Sequence, residues 1–553
     1  MSARPEKASN SPAGDQSNLR GFRVAWMAFM VVLTTIPYLV NWRDTPRGQH
    51  YTWILPPYPE DSLAYQAWAQ QAAHGALLFR DKFTALPHAP FLFHPFFLIS
   101  GWISVLTGGE IGVVFLIMKT IGVVLFFAAF FRYLDFLGLN KVQSVTATLL
   151  AGLSSGFGGL IVMLGLGPPR WPLPLVDLML PDINTFWSLL WNPLFPYSLT
   201  LLVLVMHWLD RGTREGRMGD FWRAGLATGL LALVHPYSQP LVLACAVILP
   251  MVRCRKQAVG MLGRYFLAAG PFLLYLVLMT IFDPLVTRHD VQGRMSSPVL
   301  GSYIYGFGLP LLLTGAGMVL GRQSLLRRWW PVVLWFCLAV AFAYLPLWFQ
   351  RKLVFGSHIP LCILAGISLG AILERFTDQM ARKLVVAVAL VIGLPLAAST
   401  SAYLLTSERE EAAKNAGGAF YVNDDLMNGL KFLKERSQPS DIVCATLDTS
   451  LLIPAFSGNT VLWGHWAMTV DNTERQAWFA RLFGVTADVN DPKRADEFWG
   501  TGIRYIFADG GLKQSIVRNP QMWRTILDGA DRVYTNESVV IYERKEGAGF
   551  RQN

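Results

Sequence analysis

Long apolar runs are the feature of this chain that most constrains its fold. A helix needs roughly 18 or more mostly apolar residues to cross the hydrocarbon core of a bilayer. The chain contains nine uninterrupted runs of about this length, and two other regions, 89–107 and 221–252, are apolar but interrupted by prolines or polar residues. We therefore predict an α-helical, polytopic membrane protein with about eleven or twelve transmembrane helices. The uninterrupted runs lie near 23–41, 110–131, 142–166, 184–209, 260–282, 301–321, 327–348, 353–373 and 383–405.

The composition agrees with a protein solvated mainly by lipid. Hydrophobic residues make up 53% of the 553 residues and charged residues only 15%, whereas about a quarter of a soluble protein is charged. The net charge of +10 comes from short basic clusters between apolar runs, which is typical of membrane loops and excludes a nucleic-acid surface. The five cysteines have neither the spacing of a disulfide framework nor that of a zinc site.

The basic clusters predict the orientation. Clusters at 20–23, 211–223, 253–264, 322–328 and 375–383 should be cytoplasmic under the positive-inside rule. The loops at 42–88, 167–183 and 283–300 and everything after residue 405 would then lie outside a cytoplasmic (inner) membrane. One conflict follows. If 89–107 crosses the membrane fully, the next two spans place the loop 167–183 on the cytoplasmic side. Either 89–107 is re-entrant or one loop is assigned to the wrong side.

Three regions follow along the chain. Residues 1–22 are rich in Ser, Asn, Pro and Gly and are predicted to be a disordered cytoplasmic tail. Residues 23–405 form the transmembrane domain, with 42–88 as its first outer loop. Residues 406–553 alternate strand and helix patterns, which indicates a small soluble α/β domain outside the membrane. Its predicted helices are 424–436, 472–484 and 520–528, and its predicted strands are 442–445, 461–463, 503–508, 532–535 and 539–542.

An acidic pair in the first outer loop is the main candidate for chemistry. Glu60 and Asp61 follow the first apolar run after a short polar stretch. A carboxylate at a water–lipid boundary can act as a general base, and we predict this role for Asp61. Glu60 would position either Asp61 or a metal ion. The alternative is that both residues stabilise the first turn of a helix. Tyr65 lies four residues on and would share a helix face with Asp61.

The same loop contains further candidates for ligand binding. His88 and His94 have carboxylates nearby and could hold a divalent cation, although lone histidines at a membrane surface more often only hydrogen-bond. No other cofactor is indicated. Arg80 could pair with a phosphate or simply anchor at lipid headgroups.

Polar residues in the later outer segments complete the candidate set. Asp182 could contribute to a site or cap the following helix. His235 and Tyr237 stand at a proline-flanked break, and such breaks are tolerated in a membrane only where they line a cavity or are buried in protein.

A basic pair stands at the outer end of a span. Arg351 and Lys352, with His358 shortly after them, contradict the expected scarcity of basic residues outside. That anomaly favours binding of the phosphate of an isoprenoid carrier over simple anchoring. In the soluble domain, the sequence Trp463-Gly464-His465-Trp466 could offer aromatic faces to a sugar, but core packing is the more common role.

The layout resembles the integral-membrane glycosyltransferases of the GT-C fold, a group that includes protein O-mannosyltransferases and the aminoarabinose transferases acting on lipid A. The resemblance extends over the first outer loop, the multi-span core and the soluble domain. It is carried by Pro59-Glu60-Asp61, Tyr65, Phe83-Thr84, Pro87-His88, Pro95-Phe96-Phe97, Asp182–Asn184, Asn192–Phe195 and Gln350-Arg351.

The resemblance implies an inverting hexosyl or pentosyl transfer from a polyprenyl-phosphate sugar, with the first-loop Asp as general base. The acceptor would be a lipid, glycan or protein outside the membrane. The protein O-mannosyltransferase pattern of Asp followed by Glu is reversed here as Glu60-Asp61, which leaves open which carboxylate is the base.

Two other functions compete with a transferase. A lipid or solute transporter or flippase would use membrane acids and bases as a path, but such proteins usually show internal repeats and charges at mid-bilayer, and neither is evident here. A non-catalytic scaffold would depend on the C-terminal domain and not on the first-loop acids.

Overall fold

The computed structural model describes residues 13–282, 295–414, 418–483 and 493–546. Most of the outer loop predicted at 283–300 lies outside these residues. The membrane-associated part consists of helices α1 (Ala13–Arg43), α2 (Pro59–Ala73), α3 (Pro95–Thr107), α4 (Ile111–Leu137), α5 (Lys141–Leu153), α6 (Gly158–Met163), α7 (Val176–Met179), α8 (Thr185–Trp191), α9 (Phe195–Glu215), α10 (Met218–Val234), α11 (Gln239–Arg253), α12 (Ala258–Phe282), α13 (Leu300–Arg328), α14 (Trp330–Phe342), α15 (His358–Glu374), α16 (Gln379–Val388) and α17 (Leu394–Lys414), strand β1 (Gln49–Tyr51), 3₁₀ turns Pro236–Ser238 and Gln350–Val354, and a π turn Ala389–Gly393.

The apolar runs form the predicted helices, although several are interrupted. Within the described ranges, seven segments are long and apolar enough to cross a membrane, which is fewer than the eleven or twelve helices predicted. The run at 142–166 is divided between α5 and α6, and the run at 184–209 between α8 and α9. The seven segments are Leu19–Arg43, Ile111–Leu137, Pro236–Arg253, Ala258–Phe282, Leu300–Leu320, Gln350–Glu374 and Gln379–Lys414.

The first helix corrects one expectation about the N-terminal region. Helix α1 begins at Ala13, so residues 13–22 are helical and do not belong to a disordered tail. Residues 1–12 lie outside the described part of the chain. The low hydrophobicity of 13–22 misled the prediction, because a polar turn can extend an apolar helix when the helix is already nucleated.

The two ends of α4 lie at different ends of the molecule. Glu110, which precedes α4, accepts a hydrogen bond from Trp53 Nε1 of the first loop at 3.1 Å. At the other end, Gly138 accepts a bond from Arg328, and Asp135 pairs with Arg23 at 2.5 Å. A helix rises about 1.5 Å per residue, so α4 separates the first loop from these basic residues by roughly 40 Å.

The other basic clusters gather at the same end as Arg328. Arg214 donates to the carbonyl of Arg328 at 3.2 Å, and buried Asp210 pairs with Arg214 at 2.9 Å and with Arg253 at 2.5 Å. The structure therefore brings the clusters that the positive-inside rule assigns to one side together, away from the first loop.

Helix α3 does not carry the chain across a membrane. It spans 13 residues, too few for a bilayer core, and the loop after it ends at Glu110, which contacts the first loop through Trp53. Both ends of the segment 89–107 therefore lie near the first loop. This arrangement matches the re-entrant alternative and removes the conflict over residues 167–183.

Close packing of α3 on α2 supports the position of the acidic pair. A Cβ atom on Gly101 would lie 2.4 Å from the carbonyl oxygen of Ala69 and 2.7 Å from the backbone nitrogen of Ala73. Only glycine allows the two backbones to approach this closely. Helix α2 carries Asp61 and Tyr65, so this contact holds the candidate site in place.

We expect Gly101→Ala to destabilise the protein, because α3 would have to move away from α2 backbone atoms that cannot yield. Overpacking of this kind costs about 1–3 kcal/mol, seen as a lower thermal midpoint of the detergent-solubilised protein. Gly263→Ala on α12 is the matched control, since a Cβ there meets no atom within 4 Å and alanine favours helix. Equal midpoints for both variants would contradict the packing argument.

The C-terminal domain confirms the predicted small α/β unit. Its sheet has the order β4-β3-β5-β7-β6, in which β3 runs parallel to β4 and β5, and β7 runs antiparallel to β5 and β6. The elements are β2 (Tyr421–Asn423), α18 (Asp424–Arg436), β3 (Ile442–Cys444), α19 (Leu447–Phe456), β4 (Thr460–Val461), α20 (Asn472–Phe483), α21 (Arg494–Gly500), β5 (Ile503–Ala508), α22 (Gly510–Arg518), α23 (Pro520–Leu527), β6 (Ala530–Thr535) and β7 (Val540–Arg544).

The first outer loop is joined to this domain. Strand β1 pairs antiparallel with β2, and the amide of Val461 donates to the carbonyl of Lys82 at 2.9 Å. Lys82 Nζ donates to the carbonyl of Pro439 at 2.6 Å. Helix α17 continues through the predicted boundary at residue 405, so the two parts are connected by a helix and by the loop contacts.

Candidate functional site

Asp61 lies in the first turn of α2, but it does not cap that helix. The residue at the cap position is Tyr58, which makes no side-chain hydrogen bond to the helix, and Pro59 begins the first turn. Asp61 instead directs its carboxylate towards the C-terminal domain, with 35% of the side chain exposed. Glu60 is half-buried and makes no ion pair with any described residue, so the two acids have different surroundings.

His465 from the C-terminal domain faces Asp61. Its Nε2 lies 3.5 Å from Asp61 Oδ1. The Nδ1 atom accepts the backbone N–H groups of Ala467 at 3.1 Å and Met468 at 3.2 Å, so it carries no proton. The proton of a neutral imidazole therefore resides on Nε2, the nitrogen that lies 3.5 Å from the carboxylate.

The surroundings keep the Asp61 carboxylate ionised. Burial by itself would raise the pKa of Asp61, but the hydrogen bond from His465 and the positive charges of Lys352 and Arg351 outweigh burial and hold the pKa below its ordinary value of 3.8. At neutral pH this side chain is a carboxylate with a free lone pair for a proton. This is the state that a general base needs.

The two cations come from the 3₁₀ turn Gln350–Val354 that precedes α15. Gly356 follows with a φ of +75°, and a Cβ there would lie 2.3 Å from a methyl carbon of Leu202 on α9. Glycine thus permits both the turn and its close approach to α9. Arg351 is anchored at its amide, which donates to the carbonyl of Met295 at 3.2 Å, while its side-chain Nε is buried without a partner among the described residues.

A second carboxylate, Asp182, lies in the same cluster. It is 3% exposed, and its charge acts on Lys352 and on Tyr65. The helix cap that follows is formed by Asn184, whose side chain accepts the amide of Trp187, so Asp182 does not have the capping role that the sequence allowed. Lys352 therefore lies within the electrostatic influence of both Asp61 and Asp182.

Tyr65 lies between this cluster and a large cavity. It shares a face of α2 with Asp61, receives a 3.5 Å contact from Asn192 Nδ2, and stacks on Trp68 with ring centroids 6.0 Å apart. The cavity has a volume of about 530 Å³, and Tyr65, Trp68 and Lys352 are in its lining. This size and mostly apolar lining are those of a small-molecule site.

The cavity is also lined by Arg80 and His88 of the first outer loop and by His94, which immediately precedes α3. Arg80 is held by its backbone, since its amide and carbonyl both bond the side chain of Gln71 at 2.9 Å. His88 uses both ring nitrogens within the loop, because Nδ1 contacts the carbonyl of Leu86 at 2.8 Å and Nε2 accepts the amide of Asp81 at 3.1 Å.

His94 packs its ring on Phe97 with centroids 4.1 Å apart. Since both nitrogens of His88 are engaged, the pair His88 and His94 does not form the cation site considered from the sequence. In the ranges that the structure describes, no group of three or more His, Cys, Asp or Glu side chains could hold a metal ion.

The proline-flanked break also lies on the cavity. His235 ends α10 and stacks on Phe355 with centroids 4.2 Å apart, and Lys352 Nζ stands 5.7 Å from the centre of the Tyr237 ring. His358 is placed differently. It is 1% exposed and its two nitrogens contact Ser154 Oγ at 3.2 Å and Thr185 Oγ1 at 3.0 Å, so it holds helices together away from the cavity.

Sequence reasoning missed His465 as a site residue. The aromatic motif around it was interpreted as core packing, and His465 is indeed 3% exposed. The only local signal was a histidine between two tryptophans and next to a glycine. Its approach to Asp61 depends on docking of the C-terminal domain against the first loop, which Phe83 supports by packing 5.6 Å from the His465 ring.

Comparisons with known proteins agree with this architecture. Neither the family models nor the curated proteins give a match. Among solved structures, the chain is similar to the oligosaccharyltransferase AglB from Archaeoglobus fulgidus, in complex with an inhibitory peptide and a dolichol-phosphate, with a TM-score of 0.54, 13% identity, and coverage of 96% of this chain and 75% of AglB.

The arabinofuranosyltransferase AftD from Mycobacteria is also similar, with a TM-score of 0.51, 16% identity, and coverage of 95% of this chain and 40% of AftD. At these identities the likeness concerns the fold. Together with the apolar helices, it shows that this chain is a multi-pass membrane protein with the GT-C fold.

Proposed function

We propose that this protein is a membrane glycosyltransferase that moves a sugar from a polyprenyl-phosphate carrier to an acceptor, with Asp61 as general base and inversion at the anomeric carbon. The observation that carries the proposal is the ionised carboxylate of Asp61 within the electrostatic influence of Lys352 and Arg351, where Lys352 also lines a cavity of about 530 Å³. A base and a phosphate-binding cation side by side are what such a transfer needs.

The chemical step follows from these groups. The acceptor hydroxyl transfers its proton to Asp61 while its oxygen forms a bond to the anomeric carbon of the donor sugar. The bond between that carbon and the phosphate oxygen breaks, and its electron pair leaves with the polyprenyl phosphate. Lys352 and Arg351 stabilise the charge that develops on the phosphate. Attack from the face opposite the leaving group inverts the anomeric configuration.

The donor class is supported by the cavity and by a structural neighbour. The cavity lining includes Leu276, Met279 and Thr280 of α12, a helix whose outer faces are largely exposed and would meet lipid. An isoprenoid chain could enter there while its phosphate reaches Lys352. AglB, which has the same fold, was determined with a dolichol-phosphate. The acceptor class, whether lipid, glycan or protein, stays open.

We further propose that the site faces the outside of a cytoplasmic membrane, with the N-terminus in the cytoplasm. The grouping of Arg214, Arg253 and Arg328 at the end opposite the first loop supports this orientation, because basic residues concentrate on the cytoplasmic side.

The test is incubation of the purified full-length protein with a panel of polyprenyl-phosphate sugars and an extract of envelope acceptors, followed by mass spectrometry. We expect one donor to be converted to the free polyprenyl phosphate. Movement of an intact lipid across proteoliposome membranes without covalent change would instead favour the transporter. If the first-loop acids can be replaced without loss of function while the C-terminal domain cannot be removed, the non-catalytic scaffold would be favoured.

A change at His465 should move the pH dependence of transfer. The bond from His465 lowers the pKa of Asp61, so His465→Phe should raise that pKa. Asp61 would then be protonated at a higher pH, and the acid limb of the kcat/KM profile should shift upwards by up to one pH unit, since a hydrogen bond is worth about 1 kcal/mol. The control is His74→Phe, because His74 is an exposed histidine of the first outer loop, which also carries Asp61. An unmoved acid limb would show that His465 does not act on Asp61.

A further inference from the structure

Three buried polar atoms in the cavity beside Lys352 have no partner among the described residues. They are His94 Nδ1, His235 Nε2 and Gln239 Oε1. The three residues are 7%, 4% and 5% exposed, and all three line the same cavity. A buried polar group without a hydrogen bond is costly, so atoms of this kind gathered in one cavity indicate a ligand that supplies the missing partners.

The remaining polar atoms of two of these residues are already used. His235 Nδ1 contacts Ser238 Oγ at 2.8 Å, and Gln239 Nε2 donates to the carbonyl of Thr228 at 3.4 Å. These bonds orient the free atoms. His94 is oriented by stacking on Phe97, and His235 by stacking on Phe355. The unpartnered atoms are therefore held by their surroundings before any ligand arrives.

The chemistry of the three atoms selects the ligand. Gln239 Oε1 can only accept, whereas a neutral imidazole nitrogen either donates or accepts. A hydroxyl does both, so a group with several hydroxyls matches the set. None of the three side chains is a carboxylate that would pair with an ammonium, and Asp81, a carboxylate that also lines the cavity, accepts the amide of Phe83 at 2.8 Å. Tyr237 and Trp348, which also line the cavity, add aromatic faces suited to the C–H face of a sugar ring.

We propose that His94, His235 and Gln239 bind the hydroxyls of a neutral sugar carried by the donor, so that its anomeric carbon is held between Lys352 and Asp61. This rests on the proposed function, because it takes the donor to be a lipid-linked sugar. It goes further by assigning a sugar class and by separating the residues that bind the sugar from those that bind the phosphate.

The experiment measures binding, not transfer. Purified full-length protein is titrated with undecaprenyl phosphate alone and with undecaprenyl phosphate carrying mannose, glucose, galactose, arabinose or an amino sugar. We expect at least one neutral sugar to tighten binding relative to the bare carrier. His235→Phe and Gln239→Met should each weaken binding of that ligand by about threefold to tenfold, the effect of one lost hydrogen bond, and leave bare-carrier binding unchanged.

The matched control is His207→Phe. His207 is also buried with both nitrogens unpartnered among the described residues, but it packs against Tyr133 and Phe136 and does not line the cavity. The His207→Phe variant should bind every ligand as the wild type does. Unchanged bare-carrier binding shows that each variant is folded, and His94→Phe offers a third independent change.

The assignment would be overturned if the wild type bound the bare carrier and all the neutral-sugar carriers equally, or if it preferred the amino sugar. Sugar-dependent binding that survives both His235→Phe and Gln239→Met would also overturn it. Failure of the proposed function appears differently. If the protein distinguishes the sugars in binding but transfers none of them, the sugar-binding assignment stands and the proposed glycosyltransferase function is wrong.

Discussion

Asp61→Asn should leave the protein folded and inserted but reduce sugar transfer by about a hundredfold to ten-thousandfold, the range for loss of a general base. Asparagine has nearly the same shape, and its amide oxygen can still accept the bond from His465. It cannot take a proton from the acceptor. Single-turnover consumption of the polyprenyl-phosphate donor, followed by mass spectrometry, measures the loss directly.

The matched control for this substitution is Asp44→Asn. Asp44 is another carboxylate near the start of the first loop, and it pairs with Arg43 at 2.8 Å and with Arg409 at 2.6 Å, outside the cluster. Transfer by Asp61→Asn within about threefold of the wild type would remove Asp61 from the mechanism. Glu60→Gln decides between the two neighbouring acids, since a larger loss there than at Asp61 would assign the base to Glu60.

Lys352→Met should lower kcat/KM by about tenfold to a hundredfold, because a charged hydrogen bond to the departing phosphate is worth about 1.5–3 kcal/mol. Methionine keeps the unbranched chain as far as Cε, so most of the cavity wall is preserved. Lys352→Arg should restore part of the activity. The exposed Lys383 of α16, changed to Met, controls for loss of one positive charge elsewhere in the chain.

The same substitution has a second, independent signature. The positive charge of Lys352 lowers the pKa of Asp61, so its removal should raise that pKa. The base would then be protonated at a higher pH, and the acid limb of the pH profile should move upwards. A fall in activity with an unmoved acid limb would mean that Lys352 acts on the donor alone. An unaltered kcat/KM would remove it from the phosphate site.

In the C-terminal domain, the five strands of the main sheet and helices α18, α20 and α23 were predictable from the sequence, whereas helices α19, α21 and α22 were not predicted. Helix α18 occupies Asp424–Arg436, the range expected from its amphipathic pattern. It is capped by Asn423, whose side chain accepts the amide of Asp425. Strand β5 occupies Ile503–Ala508, again the predicted range. Caps, turns and alternation of apolar residues are local signals, so a short α/β domain shows them directly.

The membrane part was less predictable in detail. Uninterrupted apolar length identified six of the seven candidate crossing segments in the described ranges, the exception being Pro236–Arg253. It could not distinguish a continuous helix from the broken pairs α5–α6 and α8–α9. Hydropathy averages over a window, whereas a break depends on neighbours that satisfy the freed backbone groups. The amide of Ser155, for example, donates to the carbonyl of Ala397 in α17 at 2.9 Å, a partner that no local pattern reveals.

By itself, the sequence determined the membrane class, the α/β character of the C-terminal domain and the candidate acids and cations, because composition, apolar length and periodicity are properties of neighbouring residues. Only the tertiary structure decided which candidates meet. It placed Lys352 and Asp182 with Asp61, set His358 apart, and brought His465 to within 3.5 Å of the Asp61 carboxylate. Residues this distant in the chain become neighbours through packing of whole helices and a domain, which depends on the entire fold and not on any single segment.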